Sequence, residues 1–231
     1  MYNSKLKALT FSFDDGVTQD QRLIKLLDKY HLRSTFNINS ARLDQAKILL
    51  VGDVTVSHCK PRPCEIKAIY QNHEVAGHTL SHPCLTTRSD DEIVREVEQD
   101  RLALSQLCQY EVVGFAYPGG SQYVDDRVIS AVRTRTGVKY ARNACTSGSF
   151  DPPTDLFNVI PTASFLDGNI LELAKEFIAI SPHSPKLFFI YGHAYEPDGY
   201  SDGWERVEKL FSLISHKDDV FYGTNKECLL F

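Results

Sequence analysis

The feature that most constrains this chain is an alternation. Short apolar runs, rich in β-branched and aromatic residues, take turns with amphipathic stretches along almost all of its 231 residues. The strand-like runs fall at 7–13, 34–38, 74–79, 112–117, 138–142, 157–161, 187–191 and 220–223. Between them, 20–30, 64–72, 87–108, 125–135, 169–180 and 204–215 carry apolar residues at helical spacing; in the first, Leu23, Ile24, Leu26 and Leu27 share one face. Ser89 and Glu92 have the spacing of a capping box at the start of the longest helix. Residues 41–63 break the pattern, contain two prolines, and read as a long loop or insertion. Repeated βα units imply a mainly parallel sheet with helices outside it. Seven or eight such units in a chain of this size favour a barrel over an open sheet. The expectation is an α/β fold in one domain spanning 1–231: a TIM-like (β/α) barrel, complete or incomplete. Such barrels place their chemistry at the C-terminal ends of the strands.

Composition narrows the function classes. Residues are 42% hydrophobic and 24% charged, which excludes disorder and coiled coil. The net charge is −5 and no basic patch occurs, so a nucleic-acid partner is not expected. No apolar run approaches the length of a membrane span, and the N-terminal stretch lacks the apolar core of a signal peptide. A cytoplasmic protein with no membrane partner is therefore expected. Its six cysteines are expected to be free thiols. Cys59 and Cys64 bracket Lys-Pro-Arg-Pro, but no second cluster completes a metal or redox site.

Four strand ends carry unusual polar residues. The first ends Phe13-Asp14-Asp15-Gly16; the third runs into His78-Thr79-Leu80-Ser81-His82; the fourth ends Phe115-Ala116-Tyr117-Pro118-Gly119-Gly120; the strand at 187–191 leads to His193. Alone, Asp-Asp-Gly is also a common turn, His-x-x-x-His an ordinary pair of half-exposed imidazoles, and Pro-Gly-Gly a loop. Together, two carboxylates and three histidines at the mouth of one α/β domain point to metal-assisted hydrolysis.

These residues resemble the polysaccharide deacetylases of carbohydrate esterase family 4, whose unit is also called the NodB homology domain. The family's Thr-Phe-Asp-Asp-Gly stands here as Ser12-Phe13-Asp14-Asp15-Gly16, and its His-(Ser/Thr)-x-x-His as His78 to His82, followed by Pro83. The resemblance implies a distorted, seven-stranded (β/α) barrel and a mononuclear metal held by Asp15, His78 and His82, with zinc favoured and cobalt, nickel or iron compatible. It implies Asp14 as general base, His193 as general acid, and a backbone N–H, that of Gly119, for the oxyanion. The third family motif, Arg-x-Pro-(Tyr/Phe), is altered: Ala116 stands where arginine is expected. A subgroup with Phe-Ala-Tyr-Pro here carries Tyr-Ala-Arg on the next strand, and this chain has Tyr140-Ala141-Arg142, so Arg142 is expected to supply the guanidinium. Tyr117 and Trp204 are expected near the substrate, with Asp198 or Asp202 tuning His193. The remaining histidines, His58 among them, are given no role. The implied activity is hydrolysis of N-acetyl groups on a poly- or oligosaccharide, releasing acetate. Hydrolysis of a ureide or cyclic imide, and a non-catalytic carbohydrate-binding protein, are the alternatives.

Overall fold

Residues 2–230 are described here from a computed structural model. β1 (Lys7–Asp15) leads through α1 (Asp20–Lys29) to β2 (Ser34–Ile38). Next come β3 (Ile48–Val51), β4 (Val54–Ser57), α2 (Ile66–Ile69), β5 (Glu74–Gly77) and α3 (Asp90–Cys108). Then follow β6 (Gly114–Ala116), α4 (Asp126–Arg135), β7 (Tyr140–Arg142), β8 (Ala163–Ser164) and α5 (Ile170–Ala179). The chain finishes with β9 (Lys186–His193), α6 (Gly203–Ile214), β10 (Val220–Tyr222) and α7 (Asn225–Leu229).

Seven parallel strands, in the order β7-β6-β5-β2-β1-β9-β8, form one curled sheet. All nine residues of β1 are buried, as expected of a parallel strand covered on both faces. β10 pairs with the start of β1, placing Lys7 opposite Val220, and β2 takes over towards its end, placing Asp14 opposite Asn37. Residues 156–164 draw the two sheet edges together. Val159 N–H donates to Ala141 of β7 at 3.0 Å, and Thr162 N–H donates to Phe189 of β9 at 2.7 Å. The sheet thus curls into a distorted barrel, the barrel that the alternation implied with the distortion that the resemblance implied.

Three local expectations need correction. The strand expected at 157–161 is reduced to a single bridge between Val159 and Arg142, and the regular strand follows at β8. Pro161 has no N–H to give to a ladder, and the segment changes partners around it. Residues 41–63 are not an irregular loop. They contain the antiparallel β3–β4 hairpin, closed by Gly52-Asp53 with Gly52 at φ +59°. The two prolines lie beyond it. Finally, α7 was not anticipated, although Thr224 and Glu227 cap it as reciprocally as Ser89 and Glu92 cap α3.

Aromatic side chains fill the space between sheet and helices. Phe36 on β2 lies 5.9 Å from the ring of Phe13 and 4.9 Å from that of Tyr70, just beyond α2. The six cysteines are free thiols. Among the described residues, no helix is long and apolar enough to cross a membrane. Because Phe36 is fully buried between layers, Phe36→Ala should lower stability by about 3–5 kcal/mol. Urea unfolding monitored by circular dichroism measures this; an unchanged midpoint would contradict the packing described.

Candidate active site

The strand ends converge on a cavity of about 510 Å³ lined by Asp14, Asp15, His58, His78, His82 and His193, with Gly119, Tyr191 and Tyr195 among its other walls. Adjacent residues of a regular strand point to opposite faces. Asp14 and Asp15 nevertheless share this cavity, because the chain turns sharply where β1 ends. Asp15 has φ +80° and Gly16 φ +58°. A side chain on Gly16 would be strained by that φ and would also press on Ile38, whose atoms lie 3.0 Å from the Cβ position.

Asp14 is anchored through one oxygen. Its Oδ1 accepts from Asn37 Nδ2 at 2.7 Å and from Arg142 Nη2. Its Oδ2 takes no hydrogen bond from the described residues. Burial alone would raise the Asp14 pKa, but the charge of Arg142, helped by His78 and His193 and by the Arg142 hydrogen bond, holds it below the ordinary carboxylate value. Arg142 is itself fully buried, and its guanidinium lies over the Tyr191 ring at 5.1 Å. Ladder register places Arg142 beside Ala116, so the guanidinium enters at the level where the altered motif lacks one.

Asp15 is held differently. Its Oδ2 meets His58 Nε2 at 3.0 Å, and its backbone carbonyl accepts from Lys60 Nζ at 2.6 Å. Its Oδ1 is buried without a hydrogen-bond partner, 3.8 Å from His82 Nε2 and 4.0 Å from Lys60 Nζ. Burial works to raise the Asp15 pKa, and the His58 hydrogen bond with the Lys60 charge outweighs it, keeping the group well below the usual range.

The histidine pair sits on the loop after β5. His78 N–H donates to Asp100 Oδ2 on α3 at 2.9 Å, and Ser40 N–H donates to the other oxygen of Asp100 at 2.7 Å. Asn39 Nδ2 donates to the Thr79 carbonyl at 2.9 Å. These contacts hold a backbone in which Thr79 and His82 both adopt positive φ. His78 Nδ1 lies 2.8 Å from the Ala116 carbonyl, which only accepts; Nδ1 therefore carries the proton and Nε2 keeps its lone pair. Burial pushes His78 down to about 4 and lowers His82, so both imidazoles are neutral at pH 7.

His193 ends β9, in register with Asp14. Its Nδ1 contacts Glu196 Oε1 at 2.9 Å. Burial disfavours the imidazolium, but the Glu196 hydrogen bond and the charges of Glu196, Asp14 and Asp15 prevail and raise its pKa to about 9. The residue beside His193 is thus Glu196, neither Asp198 nor Asp202. Asp198 instead accepts from Trp204 Nε1 at 2.7 Å and from Gln19 Nε2 at 3.0 Å.

A family model for polysaccharide deacetylase matches residues 2–141. The chain belongs to that family. Solved structures agree on the fold. A family 4 carbohydrate esterase from Streptomyces lividans, solved with acetate, superposes with TM-score 0.59 at 14% identity, covering 95% of this chain and 92% of that one. The peptidoglycan deacetylase PdaC of Bacillus subtilis gives 0.56 at 16% identity, over 97% and 90%. A family 4 pseudoenzyme from Bacillus anthracis gives 0.57 at 16% identity, over 97% of this chain and 66% of its own. Family membership thus brings the deacetylase fold, and relatives of that fold include a protein described as a pseudoenzyme.

Metal dependence is general in this family, and the residues here fit a divalent ion. One ligand atom each from Asp15, His78 and His82 lie within 4.8 Å of one another. The set comprises one carboxylate oxygen that accepts no hydrogen bond and two neutral imidazoles, a donor combination suited to zinc and its neighbours.

The other expected residues divide. Gly119, at φ +75°, lines the cavity. Tyr117 is buried in the packing of β6, its hydroxyl donating to the Phe157 carbonyl at 3.0 Å, and does not line the cavity. Trp204 also lies off the cavity, with the Arg22 guanidinium 4.2 Å from its ring centre. It ties the loop after β9 to α1 rather than forming a substrate wall. The sequence reading missed His58, Lys60, Asp100 and Glu196. Only Glu196 carried a local signal, three residues beyond His193.

The raised His193 value gives a direct test. In metal-free protein the His193 ring resonances should titrate near 9. Glu196→Gln should return them towards the ordinary 6.5. A wild-type midpoint at or below 6.5 in histidine-resolved NMR would contradict the Glu196 contact.

Proposed function

We propose that this member of the polysaccharide deacetylase family is an active, metal-dependent hydrolase that removes N-acetyl groups from an N-acetylated poly- or oligosaccharide and releases acetate. The observation that carries this reading is a pair of groups in one cavity whose pKa values are driven apart. Asp14 is held low by Arg142, and His193 is held high by Glu196. At neutral pH one is a proton acceptor and the other a proton donor, the division of labour that acyl transfer to water requires.

Asp15, His78 and His82 would hold the ion, zinc by their chemistry, with cobalt, nickel or iron as substitutes. Bound there, it polarises an acetamide carbonyl and acidifies water. Asp14 takes the proton of the attacking water on Oδ2, because Oδ1 is occupied by Asn37 and Arg142. Arg142 is a positioning residue. It keeps Asp14 ionised and fixes which oxygen faces the reaction. His193, protonated and oriented through Nδ1 by Glu196, offers its Nε2 proton to the departing amine. The Gly119 N–H is the proposed backbone donor to the oxygen that gains charge. A protein that only bound carbohydrate would need neither the base nor the acid.

Zinc- or cobalt-loaded protein is expected to release acetate from N-acetylglucosamine oligomers. Asp14→Asn should reduce kcat by ~10²–10⁴-fold while zinc still binds. Release by the variant at the wild-type rate would remove Asp14 from the mechanism. A metal-loaded wild type inert on these oligomers would exclude the chitin-like substrate and favour a small amide or imide.

A further inference from the structure

The insertion between β2 and α2 reaches the candidate metal centre at two points on a single residue. From the end of β4 it places His58, 3% exposed, with Nε2 3.0 Å from Asp15 Oδ2. Two residues on, the buried Lys60 donates to the Asp15 carbonyl oxygen at 2.6 Å. Main-chain bonds lock this segment in place. His58 N–H donates to Lys47 at 2.8 Å, Lys60 N–H donates to Gln45 at 2.8 Å, and Thr18 N–H, beyond β1, donates to Cys59 at 2.8 Å. The His58 ring also packs edge-on against Tyr195 at 5.1 Å.

This arrangement treats the two oxygens of Asp15 unequally. A carboxylate only accepts hydrogen bonds, so His58 Nε2 carries the proton and occupies Oδ2. Oδ1 accepts no hydrogen bond and lies 3.8 Å from His82 Nε2 and 4.0 Å from the Lys60 ammonium. We infer that His58 and Lys60 are positioning residues for the metal centre: the insertion clamps Asp15 so that it ligates a divalent cation through Oδ1 alone. Two features single this out from ordinary anchoring of a hairpin. Asp15 adopts φ +80°, a conformation that a non-glycine residue keeps only where its surroundings enforce it. The Lys60 contact falls on the main chain of that same residue. In addition, His58 Nδ1 is buried without a partner, and Lys60 Nζ, 3.4 Å from Nε2, cannot donate to a nitrogen that bears the proton, so among the described residues Asp15 is the ring's hydrogen-bond partner.

The inference rests on the reading of Asp15, His78 and His82 as a metal centre, and the test separates the two. Zinc affinity of the metal-free full chain is measured at neutral pH by competition with a chromophoric chelator. Thermal melting of the metal-free protein is recorded in parallel. Wild type should bind one zinc. His58→Ala should bind ~10–100-fold more weakly, the range for losing a hydrogen-bond partner of a ligand. His58→Gln, whose amide can still donate to Oδ2, should recover part of that loss; Lys60→Met, which frees the Asp15 main chain but also removes a cation 4.0 Å from Oδ1, should change the cobalt spectrum. The visible absorption of the cobalt form should change in His58→Ala, reporting altered ligation independently of turnover. Should His58→Ala fail to fold, His58→Gln and Lys60→Met carry the test. Zinc affinities and cobalt spectra equal to wild type in every folded variant would overturn the inference and leave the metal centre standing. Absence of zinc and cobalt binding in the folded wild type would overturn both.

Discussion

Two carboxylates buried side by side at the end of β1 are the constraint around which this site is built. Neighbouring like charges in a poorly solvated space drive each other towards protonation. Both groups nevertheless stay below the ordinary carboxylate range, and each does so by a different means. Asp14 is neutralised by the fully buried guanidinium of Arg142. Asp15 receives a hydrogen bond from His58 on Oδ2, and the Lys60 ammonium stands 4.0 Å from its Oδ1. Each carboxylate thus keeps one oxygen without a hydrogen bond among the described residues: Oδ2 of Asp14, and Oδ1 of Asp15 beside His82. The base role proposed above rests on the first and the ligand role on the second.

The backbone around the site is shaped with equal economy. Asp15, Thr79 and His82 all have positive φ, a conformation that costs of order 1–3 kcal/mol at each non-glycine residue. The contacts that sustain it are few and buried. Asp100 holds Ser40 and His78 together through two backbone N–H groups, so a single carboxylate on α3 fixes both the exit from β2 and the start of the histidine loop. Burial pushes Asp100 up to about 7, against the pull of those hydrogen bonds. Asn39 fastens the next turn of the same loop. On the far wall, Glu196 orients His193, while Trp204 and Asp198 pin the loop that carries Glu196.

Much of this was legible in the sequence because it depends on local pattern. The apolar run at 7–13 is β1, and the Ser89–Glu92 box begins α3 as its spacing implied. The cavity gathers Asp14, Asp15, His78, His82, Gly119 and His193 because strand ends of a barrel must meet. Arg142 was legible only as a substitution for what Ala116 lacks, and the β6–β7 register supplies the reason the two positions are equivalent in space. The β3–β4 hairpin carried a signal that the prolines obscured: two β-branched runs separated by Gly-Asp. His58, Lys60 and Asp100 had none. Their partners lie 43, 45 and 22 residues away in sequence, and only folding of the insertion and packing of α3 create the contacts. Tyr117 and Trp204 mark the opposite failure, where a motif position or a rare residue type suggested the substrate and packing claimed the side chain.

The proposed division of roles requires one cation between Asp15, His78 and His82 while Asp14 stays outside its coordination. Anomalous diffraction at the zinc edge, from crystals grown with zinc, observes this directly. One strong peak is expected within bonding distance of Asp15 Oδ1, His78 Nε2 and His82 Nε2, with Asp14 still paired to Arg142. A peak coordinated by Asp14, or none at the three ligands, would contradict that division of roles.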